Sequence, residues 1–370
     1  MKLHCHCPSL TTAFQVVSGV VPTRTPKEIL KKVKLHVQDG QAVLIGTDQE
    51  VGIRYEIPGV EVEADGETLL PTNRVISILR ELQDESVDIE LTDDQVIVRA
   101  GHSKFALSAE DPLEFPSVAA FDAEKYHIVA GSLLKEAIRR TIFATDIEST
   151  RYALGGVLLE LQSESVTLAA TDSRRLAVVK AVCRAQGIEE PQNERPVIPS
   201  KAMSLIERSL SEDDEDVFIA VGNNDAVIKS GNSTIYARLV GGLFPKYTDV
   251  IPQQTTVSIE LVVGPFYSVI RQAQIVTNDE SRGVDFCFTN GQLALNSQAA
   301  DIGQSRIELP IAYEGADLII TFDPRYIAEF LRVLEPEQQI RLDLINGESA
   351  AVFHVNDYYT YVVMPLSRDR

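Results

Sequence analysis

The chain opens MKLHCHCPSL, and His4, Cys5, His6 and Cys7 form a run of side chains that all bind metals. Zinc prefers imidazole and thiolate, but structural sites space their ligand pairs so that four donors converge on one tetrahedron. In an extended segment, adjacent side chains point to opposite faces. Leu3, Cys5 and Cys7 then look one way and His4 and His6 the other, so at most two reach one ion. The same alternation describes an ordinary half-buried strand. Cys183 and Cys287 stand alone, without a CxxC or HxxxH partner, and no metal or cofactor is expected. Carboxylate chemistry is the other candidate, through Asp146, Glu148 and Asp172. It would need a base, a nucleophile or a metal in mutual reach, and none of the six histidines is suitably paired with cysteine or serine. The acidic run SEDDEDV, 211–217, lacks the glycine and spacing of a calcium loop and reads as a solvated loop.

Charge points elsewhere. With 34 basic and 54 acidic residues the chain carries −20, which opposes phosphate over most of its surface. Yet the segment LTTAFQVVSGVVPTRTPKEILKKVK sets Arg24, Lys27, Lys31, Lys32 and Lys34 against Glu28 alone. A solvated helix or loop face accounts for that stretch equally well when taken by itself. At 370 residues and 44% hydrophobic content, two or three domains with proper cores are expected. There is no apolar run of about 20 residues and no basic-then-apolar leader, so a cytosolic home is expected. Four scattered cysteines agree with a reducing compartment.

The elements that position these residues repeat three times. SLTTAFQVV, SLLKEAIRR and PFYSVIRQA are short apolar helix candidates, each followed by two strands and a tight turn. The turns fall at Asp39-Gly40, Ser163-Glu164-Ser165 and Asn290-Gly291; Asp-Gly and Asn-Gly accept positive φ and favour hairpins. A second helix recurs as PTNRVISILREL, PSKAMSLIERSL and FDPRYIAEFLRVL, with Thr72, Ser200 and Asp323 as expected caps. Further strands follow, as in VDIELTDDQVIVRAG and IRLDLINGESAAVFHV. The segments FPSVAAFDAEK and FPKYTDVIPQQTT read as linkers. The expectation is three α+β domains, 1–121, 122–253 and 254–370, each with two helices packed on antiparallel sheet.

With the repeat established, RYALGGVLLEL, LAATDSRRLAV, FPKYTDVIP and the tail YVVMPL, in that order and spacing, resemble the bacterial DNA polymerase III beta subunit, the sliding-clamp family. The resemblance covers all three repeats, Met1 to Leu366. It implies the DNA-clamp processivity fold, closed as a head-to-tail homodimeric ring with helices inside, sheets outside and duplex DNA in the hole. It also implies a non-catalytic processivity subunit of DNA replication, grouped with the DNA-directed DNA polymerases. The helix-bearing segments carry 15 basic and 6 acidic residues, so phosphate would meet a positive lumen inside an acidic exterior. Lysines there act as mobile point charges that read no sequence. A protein-binding scaffold that does not encircle DNA is the alternative, and mass in solution and retention on circular DNA separate the two.

By resemblance, the DNA contacts are Arg24 and Tyr152, with Lys27, Lys31, Lys32, Arg139 and Lys201 on the basic segments. Glu148 stands where relatives have a neutral glutamine, and a carboxylate there repels phosphate. The resemblance places a cleft for the apolar-tailed motif of the polymerase alpha subunit, the clamp loader and other clamp-binding proteins at Arg151, Tyr152, Leu154, Thr171, Ser173, Arg174, Arg175, Leu176, Pro245, Val250, Val362, Met364, Pro365 and Leu366. Aliphatic residues and methionine suit its floor and arginines its polar end. Ser173 and Arg174 replace a glycine and a histidine common in relatives, Asp249 replaces an arginine, and Ser367 to Arg370 extend the tail. The dimer joint falls on His102, Lys104, Phe105 and Leu107 against Ile275, Val276 and Asp301.

Overall fold

Lys2–His6 is a strand, paired antiparallel with Glu61–Ala64 on one side and Ser86–Leu91 on the other. Leu3, Cys5 and Cys7 are buried, while His4 is half-buried and His6 exposed. The four metal-binding side chains of the opening run therefore diverge. Burial pushes the Cys5 thiol up to about 12, and His4 Nδ1 lies 2.7 Å from Asp88 Oδ1, a hydrogen bond that raises the histidine's pKa. Among the described residues no three His, Cys, Asp or Glu side chains gather as a metal site requires.

The computed structural model describes residues 1–149, 153–188, 195–210, 215–278 and 282–367. Six α-helices lie among them: α1 (Cys7–Ser18), α2 (Thr72–Glu81), α3 (Gly131–Arg139), α4 (Ser200–Ser209), α5 (Val263–Gln274) and α6 (Pro324–Arg332). All strand pairings described are antiparallel. Packing groups the chain into two compact units. One is 1–135 with 161–164 and 182–240; the other is 136–160 with 165–181 and 241–370.

In the first unit a five-stranded sheet ends at Ser103–Ser108, and a nine-stranded sheet runs from Arg184–Gln186 to Gly66–Pro71. The larger sheet crosses between repeats because Ser233–Arg238 pairs with Val51–Glu56, Ile235 opposite Ile53. Helix α1 packs on α2 and on the strand Gln41–Thr47. Gly46 permits that approach, since a Cβ there would sit 2.7 Å from Val17 Cγ1. The Asp39-Gly40 turn has both residues at positive φ, as its hairpin requires.

In the second unit the strands Gly156–Leu161, Ser165–Thr171, Arg175–Val182, Tyr359–Val363, Ala351–Val355, Gln339–Leu344 and Val257–Val262 follow one another in one sheet. The other sheet orders Gly303–Pro310, Gln292–Ala299, Val284–Thr289 and Leu318–Phe322. Helices α5 and α6 pack together. Phe330 of α6 stacks on Tyr361 at 4.7 Å and meets Phe353 at 5.2 Å.

Three expectations need correction. Thr72 and Ser200 lie inside their helices, whose N-cap positions are Pro71 and Pro199 with no side-chain cap. Thr72 Oγ1 instead donates to Lys31 O at 2.9 Å, and only Asp323 caps as expected, accepting from Arg325 N at 3.1 Å. Helix α1 starts at Cys7, with Pro8 in its first turn, and has no charged residue. The cations after it lie on other elements: Arg24 follows the helix in irregular chain, Lys31 ends a 3₁₀ turn, and Lys32 and Lys34 are on the strand Lys32–Gln38. A strand wins there because Val33, Leu35 and Val37 alternate into the core.

His127 is buried on the strand Tyr126–Ala130, and burial lowers its pKa despite an opposing backbone hydrogen bond at Gln162. The unfolded chain protonates this residue near the ordinary value of about 6.5, while the folded chain resists until lower pH. Stability from this group is thus present above that value and falls as pH drops through the window below it. In urea melts, His127→Gln should lose less stability between pH 7 and pH 5 than the unaltered protein.

Candidate functional site

The second unit contains a cleft of about 460 Å³. Its first wall is the turn Thr171-Asp172-Ser173-Arg174 and the strand that follows. Asp172 Oδ1 accepts from Arg174 N at 2.9 Å and Arg175 N at 3.0 Å, Thr171 Oγ1 donates to Arg175 O at 2.6 Å, and Ser173 N donates to Thr171 Oγ1 at 3.2 Å. These bonds hold Ser173 at φ +72°, where an L side chain is disfavoured. The first repeat has the same turn 124 residues earlier. There Asp48 Oδ1 accepts from Glu50 N and Val51 N, Thr47 Oγ1 donates to Val51 O, and Gln49 is at φ +81°.

The second wall is the last strand. Arg175 pairs with Val363 and Leu176 with Val362, and Met364 N donates to Arg174 O at 2.8 Å, which sets Met364 beside the turn. Pro245 and the 3₁₀ turn Tyr247–Val250 close the third side. Leu176, Pro245, Tyr247, Val250, Val362 and Met364 make the apolar surface, with Val250 and Met364 substantially exposed. Thr171, Ser173, Arg174, Arg175 and Lys246 supply the polar part.

Arg175 holds the first wall to α6. It is 8% exposed, its Nε donates to Asp172 Oδ2 at 3.0 Å, its Nη2 to Phe143 O at 2.7 Å, and its Nη1 pairs with Glu329. The guanidinium lies 4.6 Å from the Tyr326 ring centroid and 5.3 Å from that of Phe143. Arg174 reaches Tyr326 OH at 3.1 Å. Asp172 is therefore committed to turn and arginine, and Asp146 Oδ1 accepts from Glu148 N at 3.1 Å. Of the three carboxylates, Asp172 and Asp146 are thus engaged by backbone N–H groups and, for Asp172, by Arg175.

Nine of the residues assigned to the cleft from sequence line it: Thr171, Ser173, Arg174, Arg175, Leu176, Pro245, Val250, Val362 and Met364. Arg151 and Tyr152 lie outside the described residues. Leu154 is buried, its carbonyl accepting from Asp146 N, and Leu366 N donates to Thr321 O at 2.8 Å, so the chain beyond Met364 leaves the cleft. Lys246 and Tyr247 are additional lining residues. Both sit in FPKYTDVIP, and Tyr247 marks itself as the one aromatic of that linker that can both bury a ring and donate an O–H, here to Glu160 at 2.6 Å.

The basic residues are dispersed. Arg24 and Lys27 are exposed, Lys27 Nζ donates to Gln49 at 2.7 Å, Lys31 pairs with Glu28 at 2.7 Å, and Lys32 pairs with Glu110. Lys201 pairs with Asp48 and donates to Val20 O at 3.4 Å. Arg139 is exposed in the last turn of α3. Arg80, Arg208, Arg271 and Arg332 end α2, α4, α5 and α6 in the same way. The six helices carry nine basic and four acidic side chains, a smaller excess than in the broader segments. Ser103–Ser108 is an edge strand carrying Lys104, Phe105 and Leu107, with His102 in the turn before it. Ile275 follows α5 and is 73% exposed, next to Val276, and Asp301 lies in an exposed turn. That turn leads into Gly303–Pro310, the edge strand of its own sheet. Its alternation of Ser305, Ile307 and Leu309 was the available signal for it.

Family models of the DNA polymerase III beta subunit match the chain in series: the N-terminal domain at residues 1–119, the central domain at 128–246 and the C-terminal domain at 248–367. The beta sliding clamp of Pseudomonas aeruginosa is 30% identical over 364 residues, 97% of each chain. That of Escherichia coli K12 is 27% identical over 369 residues, covering 99% of this chain and 100% of the other. A crystal structure of the Pseudomonas aeruginosa DNA polymerase sliding clamp superposes with a TM-score of 0.91 at 30% identity, covering 99% of this chain and 100% of that one.

Two changes probe the cleft's frame. Ser173→Gly removes the left-handed penalty and should stabilise the fold by about 1 kcal/mol, seen as a higher thermal midpoint. Arg175→Met leaves Asp172, Glu329 and the Phe143 carbonyl without their cation and should cost about 3 kcal/mol in urea unfolding.

Proposed function

This chain belongs to the DNA polymerase III beta-subunit family, the non-catalytic sliding clamps of DNA replication, and on that premise we propose that two copies close head to tail around duplex DNA. The observation that carries this reading is the serial match of all three family domains along the chain. The three-domain division at 121/122 and 253/254 belongs to the same proposal. The joint would pair the edge strand Ser103–Ser108 of one copy with Gly303–Pro310 of the other, adding His102, Ile275, Val276 and Asp301. Both strands have half-buried apolar residues and an open edge, features that invite pairing. DNA would meet Arg24, Lys27, Arg139, Lys201 and the basic last turns of α2 to α6, with Lys31 and Lys32 exchanging their carboxylate partners for phosphate. Contacts of this kind are weak, salt-dependent and blind to sequence, as sliding requires.

The cleft beside Met364 would take the apolar-ended motif of the polymerase alpha subunit, the clamp loader and other DNA-processing proteins. Its aliphatic floor supports that reading, and Arg174 and Lys246 favour a motif with acidic character. No helix among the described residues is long and apolar enough to cross a membrane.

Loaded protein should stay on circular DNA and run off once the circle is cut; loss at equal rates from both forms would refute encirclement. The intact protein should have twice the 40.8 kDa mass of one chain, and Phe105→Asp should return it to a single chain. A fluorescent peptide with an acidic residue before two aliphatic ones should bind Met364→Glu at least about tenfold more weakly, since one apolar contact is lost and a buried charge gained.

A further inference from the structure

The three repeats are not finished alike. In the first, Lys2–His6 carries the added antiparallel strand Glu61–Ala64 on its outer edge, Leu3 opposite Val62. In the second, Tyr126–Ala130 carries Arg184–Gln186, Ile128 opposite Arg184. Val257–Val262 is their counterpart, since it leads into α5 as the other two lead into α1 and α3. It pairs with Gln339–Leu344 and, among the described residues, ends its sheet.

The missing strand has a local cause. In the first two repeats the cover comes from the connection that follows the third hairpin strand. In the third repeat that connection is 311–317, shorter than its equivalent at 57–65 and tied elsewhere. Ile311 N donates to Gly291 O at 3.1 Å, Gly291 N to Tyr313 O at 2.8 Å, and Tyr313 OH to Ala316 O at 2.5 Å. Tyr313 is buried against Phe288, so the loop folds over the 290–291 turn. A groove of about 380 Å³ remains between Thr256, Val257 and Ser258 on one side and the loop on the other.

We propose that this edge receives an extended cationic segment of a partner protein as an added antiparallel strand. Edge amides and carbonyls are satisfied by an extended backbone, and alternate side chains then enter the adjoining groove. Glu314 and Asp317 line the groove and no cation does, while Glu260 is exposed on the strand itself. Arg341, across from Glu260, is engaged by Asp343 at 3.2 Å. A second copy of this edge would oppose carboxylate to carboxylate, which disfavours self-pairing. Both covering strands also meet an unlike charge, Glu63 with Lys2 on the covered strand at 2.6 Å and Arg184 with Asp216, one strand further in, at 3.4 Å.

The chain's own covering strand is the probe. A peptide of residues 182–187 carrying Cys183→Ser, and the same peptide with Arg184→Glu, are added at millimolar concentration to the full-length protein while amide hydrogen exchange is followed. The arginine peptide should slow exchange across 257–262 by about tenfold, the effect expected of a newly paired strand. The glutamate peptide should not. The triple variant Glu260→Lys, Glu314→Lys, Asp317→Lys, whose sites are all exposed, should reverse that preference. The proposal is overturned by no protection, by equal protection from both peptides, by protection confined to the Met364 cleft, or by concentration-dependent protection without peptide, which would make a second copy the occupant. Each readout is independent of DNA encirclement.

Discussion

Arg175 is a permanent cation removed almost entirely from water, and the cleft exists because its surroundings repay that transfer. Asp172, Glu329 and the Phe143 carbonyl take up its donors, and two aromatic rings flank its plane. Each partner comes from a different element: the turn before its strand, α6, and the short 3₁₀ turn Ile142–Ala144. A guanidinium suits this junction because its planar fork serves several acceptors at once. The positions of Leu176, Val362 and Met364 follow, since the pairing of Arg175–Val179 with Tyr359–Val363 begins at this residue.

A second buried arginine works at the other end of the same strand pair. Arg140 donates to Tyr358 OH at 2.8 Å, pairs with Glu136 at 2.5 Å, lies over the rings of Tyr358 and Tyr359, and its carbonyl accepts from Tyr359 OH at 2.8 Å. Its Nε is buried without a hydrogen-bond partner, so this site is not fully compensated. Buried charges seldom add net stability, because desolvation offsets the attraction. Arg140 instead ties down register: a one-residue slip of the final strand would move Tyr359 and Tyr361 to the wrong face and take the Tyr358 hydroxyl and both rings away from its guanidinium.

The acidic chain and its basic helix ends are compatible through geometry. A cation in the last turn stabilises its own helix against the macrodipole, whatever lies opposite. Five helices have one there, so the residues proposed to meet phosphate already have a structural reason to be present. Helix α1 lacks any charge, and its neighbouring cations are held on strand and turn by Glu28, Glu110 and Glu67.

Local signals determined much of this molecule. Asp39-Gly40 and its positive φ values, the apolar periodicity of the helices, the outward His4 and inward Cys5, and the Thr-Asp turn at 171–172 follow from residues close in sequence. So did most of the cleft lining, through motifs that resemble a known family. Tertiary structure decided the rest. Thr72 turns from capping to a carbonyl 41 residues away, Lys32 joins a strand because its neighbours alternate into the core, and Leu366 leaves the cleft to bond Thr321. The sequence held three similar repeats but not the open edge of Val257–Val262. Edge or interior depends on whether a distant connection reaches it, and that is set by the length and anchoring of the 311–317 loop. Short-range torsional and periodic preferences act within a few residues, whereas strand neighbours and buried-charge partners arise only when the chain has closed on itself.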